Sequence, residues 1–154
     1  MTIAIGCDEA AYDFKEAIKA YLLEMNQEVV DMGVYDKNPV LYPDIALKVA
    51  TSIADGQYER GILMCGTGLG MAITANKVPG IRAATCHDVY SAERSRKSND
   101  CQILTMGARV VGVEVAKTVV KAWLESEFQG GGSTAKVQRM IDIDNMYHGS
   151  TDNS

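Results

Sequence analysis

A cysteine at the mouth of a glycine-rich turn is the strongest chemical signal in this sequence. The stretch Ile62-Leu63-Met64-Cys65-Gly66-Thr67-Gly68-Leu69-Gly70-Met71 runs from an apolar strand through a thiol into glycines, and Met71 to Lys77 suits a helix. A strand-to-helix turn of this kind places backbone N–H groups at a helix N-terminus, where they can hold an anion. Amides so placed stabilise a thiolate. Thr67 adds a hydroxyl, and the glycines let the backbone approach a ligand closely. The pattern lacks the Gly-Lys-Ser/Thr ending of a P-loop, and its Gly-x-Gly-x-Gly departs from the dinucleotide pattern Gly-x-Gly-x-x-Gly. The plain alternative is a tight turn beside a buried cysteine.

Other polar residues stand at the ends of apolar runs. Asp8 and Glu9 follow the first run and can hydrogen-bond sugar hydroxyls, or else cap the next helix and face its dipole. Arg109 follows the last apolar run and can reach an anion. Asn99 and Asp100 close the basic stretch Arg94-Ser95-Arg96-Lys97-Ser98, whose cations suit a helix C-terminus. Lys136 and Arg139 are further anion candidates on the last helix. His87 is isolated and reads as structural.

The elements that must position these residues alternate along the chain. Short apolar runs at Thr2–Cys7, Glu28–Met32, Arg60–Cys65, Ile81–Cys86 and Gln102–Met106 read as strands. Between them lie helical patterns. Ala11–Met25 carries Phe14, Ala17, Ile18, Tyr21, Leu22 and Met25 as its apolar positions. A helix opened by Pro43 carries Ala46, Val49, Ala50 and Ile53, and Val113–Leu124 aligns Ala116, Val119, Val120 and Trp123. Asp88–Ser98 is helical with a thin apolar face. Apolar strands joined by helices imply a parallel sheet covered on both faces. The expected architecture is a three-layer α/β/α Rossmann-like fold with a five-stranded parallel sheet. Ligands bind such sheets at the carboxyl ends of the strands, where Asp8, Cys65, His87 and Arg109 fall. Gly130-Gly131-Gly132 breaks the chain before an extra C-terminal helix capped by Ser133 or Thr134. A helix with no strand after it suits packing on a partner subunit, so at least a dimer is expected.

At 154 residues, 1–147 suit a single domain and 148–154 a mobile polar tail. The net charge of −5 argues against a general nucleic-acid binder but permits a local phosphate site. No apolar run is long enough to span a membrane, and the N-terminus lacks a signal-peptide pattern, so a cytoplasmic location is expected. Cys7, Cys65, Cys86 and Cys101 form no CxxC pair and are expected as free thiols. Only His87 and His148 are present, neither with a ligand-spaced partner, so no metal site is expected.

Taken together, several segments resemble the ribose-5-phosphate isomerase B and galactose-6-phosphate isomerase subunit family. They are Ile5-Gly6-Cys7-Asp8, Cys65 to Met71, Ala75-Asn76-Lys77-Val78-Pro79-Gly80-Ile81-Arg82-Ala83, Ser98-Asn99-Asp100 and Met106-Gly107-Ala108-Arg109-Val110-Val111-Gly112. The resemblance runs from Ile3 to about Met140. It implies a metal-independent, cofactor-free aldose–ketose isomerase of a sugar phosphate, acting through a cis-enediolate in sites formed between two subunits of a homodimer or a dimer of dimers. Carried over, Cys65 is the base, and the amides from Gly66 through Gly68 and Leu69 to Gly70 receive the enediolate charge. Thr67 helps protonate oxygens or open the sugar ring. Asp8 and Tyr42 hold hydroxyls, Asn99 enters from the neighbouring subunit, and Arg109 contributes to the phosphate site.

Three departures from the family pattern bear on the substrate. Glu9 stands where ribose-5-phosphate isomerases commonly have His. Ser98 replaces the ring-opening His before Asn99. Gly132, Ser133 and Lys136 stand in the phosphate segment where the family carries Arg, His and Arg, and Lys cannot copy a bidentate guanidinium contact. A ring-opening group is needed only by a substrate that cyclises. A tetrose 4-phosphate has its C4 oxygen esterified and cannot close a furanose ring. The expected substrates are therefore a tetrose phosphate (erythrulose 4-phosphate/erythrose 4-phosphate) or ribose 5-phosphate/ribulose 5-phosphate, with six-carbon phosphates third. The alternative is a subunit of a heteromeric galactose-6-phosphate isomerase. A receiver-type domain fits poorly, since the third strand ends in Cys65 and not in a phospho-acceptor Asp.

Overall fold

The structure, a computed structural model, describes residues 1–148; the tail expected to be mobile lies, beyond His148, outside the described residues. β1 (Thr2–Cys7) and β3 (Arg60–Cys65) form where apolar runs read as strands, and every residue of them but Thr2 is buried. β2 (Glu28–Asp31), β4 (Ala83–Thr85) and β5 (Ile103–Gly107) complete one sheet, all parallel, in the order β2-β1-β3-β5-β4. β4 is shorter than the run 81–86 suggested, because Cys86 and His87 already turn toward the next helix.

The helices are α1 (Tyr12–Glu24), α2 (Tyr42–Ala54), α3 (Leu69–Ala75), α4 (Val89–Lys97), α5 (Val113–Leu124) and α6 (Thr134–Tyr147). Right-handed crossovers assign their faces. The chain moves one way across the sheet through α2 and α3, which pack together, and the other way through α1 and α4, which share α5 as neighbour. The apolar stripes of α2 and α5 are buried as the spacing predicts, with Ala116, Val119, Val120 and Trp123 wholly inaccessible. Among the described residues no helix is long and apolar enough to cross a membrane.

α1 differs from its expected pattern. A 3-10 turn at Glu9–Ala11 precedes it, because Asp8 accepts the Ala11 N–H at 3.2 Å. Its buried side chains are Phe14, Lys15, Ile18 and Leu22, while Ala17, Tyr21 and Met25 are only half-buried. Lys15 is fully inaccessible because Asp31, 2.8 Å away at the end of β2, and the Val34 carbonyl take up its ammonium. The Tyr12 and Tyr35 rings flank it at 5.4 and 5.5 Å.

The order of the strands creates the crevice. The chain leaves β1 toward β2 on one side and returns for β3 on the other. The carboxyl ends of β1 and β3 therefore flank a topological switch point, and they deliver Asp8 and Cys65 side by side.

Candidate active site

Cys65 is the last residue of β3, and its thiol is held by the turn that follows. The Gly68 N–H donates to Cys65 Sγ at 3.1 Å. Gly68 has a left-handed backbone (φ 80°), and a Cβ there would lie 2.8 Å from the Met106 carbonyl carbon, so only glycine allows this approach. Gly68 also caps α3. Ala72 donates to its carbonyl at 3.2 Å, which leaves Leu69, Gly70 and Met71 in a first turn whose N–H groups have no intrahelical acceptor. The Leu69 N–H turns back to Thr67 Oγ1 at 3.2 Å. Of the amides expected to receive charge, those of Gly68 and Leu69 are thus engaged by the thiol and the Thr67 hydroxyl. The α3 helix begins two residues before the expected Met71, because Leu69 and Gly70 enter its first turn behind the Gly68 cap.

The end of β5 fastens the turn from the other side. Ala108 N–H donates to the Cys65 carbonyl at 2.9 Å and Arg109 N–H to the Gly66 carbonyl at 3.0 Å. Gly107 meets the Thr67 backbone so closely that a Cβ would stand 2.6 Å from it. The Arg109 side chain folds over Gly66, with Nη1 3.2 Å from where a Cβ would be, and the Tyr42 ring and hydroxyl fill the space over Gly70.

Asp8 faces this group from β1. Burial pushes its carboxyl up, opposed by the Ala11 N–H and by the Arg109 guanidinium. Glu9 accepts the Val40 N–H at 3.2 Å, tying the end of β1 to the loop that leads into Tyr42. Cys65, Thr67, Asp8, Glu9, Tyr42, Arg109 and Gly66 to Gly70 therefore gather at one edge of the sheet. Thr67, Leu69 and Arg109 are exposed there, forming a shelf that can receive a small anionic ligand.

Ser98, Asn99 and Lys136 are not part of this gathering. Ser98 and Asn99 precede β5 and sit at the opposite edge. Ser98 Oγ accepts from Arg94 Nε at 2.8 Å and from Arg94 Nη2. The Asn99 carbonyl accepts from Arg82 at 3.1 Å while its side chain is exposed. The segment carrying Lys136 is tied to that same edge at both ends, by Gln129 N–H to the Lys97 carbonyl (3.2 Å) and by Gly80 N–H to Asp144 (2.6 Å). A cavity of about 410 Å³ lined by Ile81, Arg82, Met140 and Tyr147 also lies there, away from Cys65.

Cys7, Cys86 and Cys101 stand apart from this turn, each buried in the core or under a neighbouring element. Burial pushes Cys7 up to about 12 and Cys86 and Cys101 to about 11. None of the four cysteines is paired, and among the described residues no three His, Cys, Asp or Glu side chains converge to hold a metal ion.

Some supporting residues escaped the reading of the sequence. Thr85 donates to the Gly68 carbonyl at 3.3 Å and meets Thr105 at 2.7 Å, bracing the turn from within the sheet. Their signal was two hydroxyls on strands otherwise rich in apolar residues. Lys15 stands three and seven residues before Ile18 and Leu22, on the same helical face, which marks it as inward-facing.

Known proteins share this sequence and fold. The sequence profile of the Ribose/Galactose Isomerase family matches residues 3–140. The chain is 56% identical over 144 residues to the ribose-5-P isomerase B of Listeria innocua, covering 94% of this chain and 97% of that protein. It is 54% identical over 143 residues to the D-erythrulose-4-phosphate isomerase of Pectobacterium atrosepticum, covering 91% and 93%. The solved structure of Clostridium thermocellum ribose-5-phosphate isomerase B superposes with a TM-score of 0.93 at 46% identity, covering 96% of this chain and 99% of that one. A profile spanning nearly the whole sequence and relatives above half identity leave one assignment: the chain belongs to the ribose/galactose isomerase family of sugar-phosphate isomerases.

Proposed function

We propose that this enzyme interconverts an open-chain aldose phosphate and its ketose by moving one proton at Cys65. In the aldose-to-ketose direction the Cys65 thiolate takes the proton from C2. The C2–H electrons form the C1–C2 double bond, and the carbonyl electrons pass to O1, giving a cis-enediolate. The Gly66 and Gly70 amides receive that charge, while the Gly68 amide supports the thiolate. Thr67 relays the O2 proton to O1, the Cys65 thiol returns its proton to C1, and the ketone stands at C2. Asp8, Glu9 and Tyr42 hold the sugar hydroxyls. The observation that carries this reading is the 3.1 Å bond from the Gly68 N–H to Cys65 Sγ, which stabilises the charged form of a thiol placed at a strand end.

Two chains complete one site. Asn99 and Cys65 lie at opposite edges of the sheet, and β5 alone separates these by about 13 Å at the usual strand rise. A substrate of four or five carbons that touches both must draw Asn99 from a second copy. Arg109 and a second copy's Lys136 then share the phosphate. This supports a homodimer, or a dimer of such dimers, and the unpaired thiols support a cytoplasmic location.

The preferred substrate is a tetrose 4-phosphate. Ser98 occupies the place of the family's ring-opening group, and the Arg94 guanidinium engages its hydroxyl. That arrangement suits a substrate which never closes a furanose ring, and the 54% identity to an erythrulose-4-phosphate isomerase agrees with it. Ribose 5-phosphate is the second reading, favoured by the 56% identity to a ribose-5-P isomerase B. Galactose-6-phosphate isomerase subunit LacB of Clostridium acetobutylicum is more distant, at 32%. The test is kcat/KM on four-, five- and six-carbon aldose phosphates with the purified protein. The tetrose is expected to match or exceed ribose 5-phosphate. A hundredfold preference for ribose 5-phosphate, about 2.7 kcal/mol of transition-state discrimination, overturns the tetrose assignment. Turnover by the chain alone eliminates the heteromeric-subunit reading.

A further inference from the structure

The edge of the sheet behind the catalytic turn has an unusual closure. β4 and β5 pair up to Thr85 and Thr105, and β4 then ends, while β5 runs on to Gly107. Two residues past the last pair, the Gly107 N–H has lost its neighbouring strand. His87 Nε2 takes that place and accepts the Gly107 N–H at 2.8 Å. An imidazole accepts at Nε2 only when neutral with its proton on Nδ1. Burial holds His87 below the usual imidazole value, against the pull of the adjacent Asp88 carboxylate, which keeps Nε2 free to accept.

Gly107 matters because of what it touches. It packs directly on the Thr67 backbone, and the two residues after it donate to the Cys65 and Gly66 carbonyls at 2.9 and 3.0 Å. Thr85, two residues before His87 on the same strand end, holds the Gly68 carbonyl. The turn is thus gripped at two points, at Gly68 by Thr85 at the end of β4 and through Gly107 by His87 just beyond it.

We propose that His87 is a positioning residue for the isomerase reaction: its Nε2 anchors Gly107, and Gly107 to Arg109 hold Cys65, Gly66 and Thr67 in reactive geometry. The inference rests on the assignment of Cys65 as the proton carrier. It gives the histidine no contact with substrate and no proton to move. Its effect belongs to kcat, because it governs where the base and the charge-stabilising amides stand relative to the reacting carbons, where small displacements are costly.

The test uses three substitutions whose geometry separates an acceptor from a ring. Glutamine places its Oε1 near the position of Nε2 and can accept the Gly107 N–H. Asparagine places its oxygen nearer Nδ1 and cannot, and leucine fills space without accepting. His87→Leu and His87→Asn are expected to lower kcat about 10- to 100-fold, with KM held within about threefold. His87→Gln is expected to recover kcat to within about threefold of the parent. Wild-type kcat in both the leucine and asparagine proteins overturns the proposal, as does a glutamine protein no better than asparagine, which would mean that the ring itself is required. Should the leucine protein fail to fold, the glutamine–asparagine pair decides alone. Cys65→Ala is assayed beside them. If it keeps full turnover, the assignment of Cys65 is what fails; if it is inactive while the His87 variants are unimpaired, only the role of His87 falls.

Discussion

Replacing Gly107 by alanine adds a single methyl group at the point where β5 bears on the turn that carries Cys65 and Thr67. The new carbon would stand 2.6 Å from the Thr67 Cα and carbonyl carbon, and ordinary contact begins near 3.4 Å. The obstacle is backbone on both sides, so no side-chain rotation relieves it, and the turn must retreat by about 0.8 Å. A displacement near 1 Å of groups that align with a reacting bond costs about 100-fold in rate, or about 2.7 kcal/mol. Overpacking of this kind also costs about 1–3 kcal/mol of stability, so activity is measured well below the unfolding midpoint, with thermal unfolding followed in parallel. Gly112 provides the control. It ends the same connection, has an ordinary extended backbone (φ −74°) and has nothing within 4 Å of an added Cβ. Steady-state assays are expected to give Gly107→Ala a kcat about 100-fold down with KM within a few-fold, and Gly112→Ala a kcat like the parent. A folded Gly107→Ala protein with parental kcat would refute the claim that the position of this turn limits the reaction.

Three further outcomes are expected. If Asn99 acts across subunits, inactive Cys65→Ala and Asn99→Ala chains unfolded and refolded together recover about a quarter of parental activity through hybrid dimers; no recovery assigns both residues to one chain's site. Alkylation at pH 8 is expected to abolish turnover with label on Cys65, slowed by substrate, while Cys7, Cys86 and Cys101 stay unlabelled because burial keeps them protonated; inactivation with label elsewhere contradicts this. Burial works against the Asp31 carboxylate, but the Lys15 ammonium, the Gly33 N–H and Lys19 outweigh it and hold the group below its ordinary 3.8. Such a group stabilises the fold above its unfolded value and ceases to do so as pH falls through the lowered one. Asp31→Asn should therefore flatten the acid limb of a denaturant-stability curve measured against pH, and an undiminished limb assigns acid sensitivity elsewhere.

How far the sequence spoke depended on whether a feature was local. The α2 and α5 helices were legible because Ala46, Val49, Ala50 and Ile53, and then Ala116 to Trp123, repeat at helical spacing and have a sheet to face. The turn at Cys65 was legible because glycines there mark close backbone approaches, and Gly68 and Gly107 both make one. Lys15 was not placed inside: its spacing to Ile18 and Leu22 points inward, but a buried ammonium needs a counter-charge, and Asp31 lies sixteen residues away on another element. The insertion of β5 between β3 and β4 was likewise invisible, because strand order is a property of pairing between distant segments. That order is what brings Gly107 onto Thr67 and His87 behind it, so the bracing of the site could not be read before the fold. Asn99 lies exposed at the far edge from Cys65, so the role proposed for it needs a second copy of the chain.

The central claim is that Cys65 carries the proton between C1 and C2. It is tested most directly by incubating Cys65→Ala with the sugar phosphate in deuterated water and following deuterium entry at C1 and C2 by NMR, with ligand affinity measured by calorimetry. The expected result is loss of both isomerisation and C–H exchange by about a thousandfold, with affinity changed by only a few-fold. Deuterium exchange continuing at the parental rate in a protein without the thiol would contradict the account and move the base to another group at this edge, with Glu9 first among them.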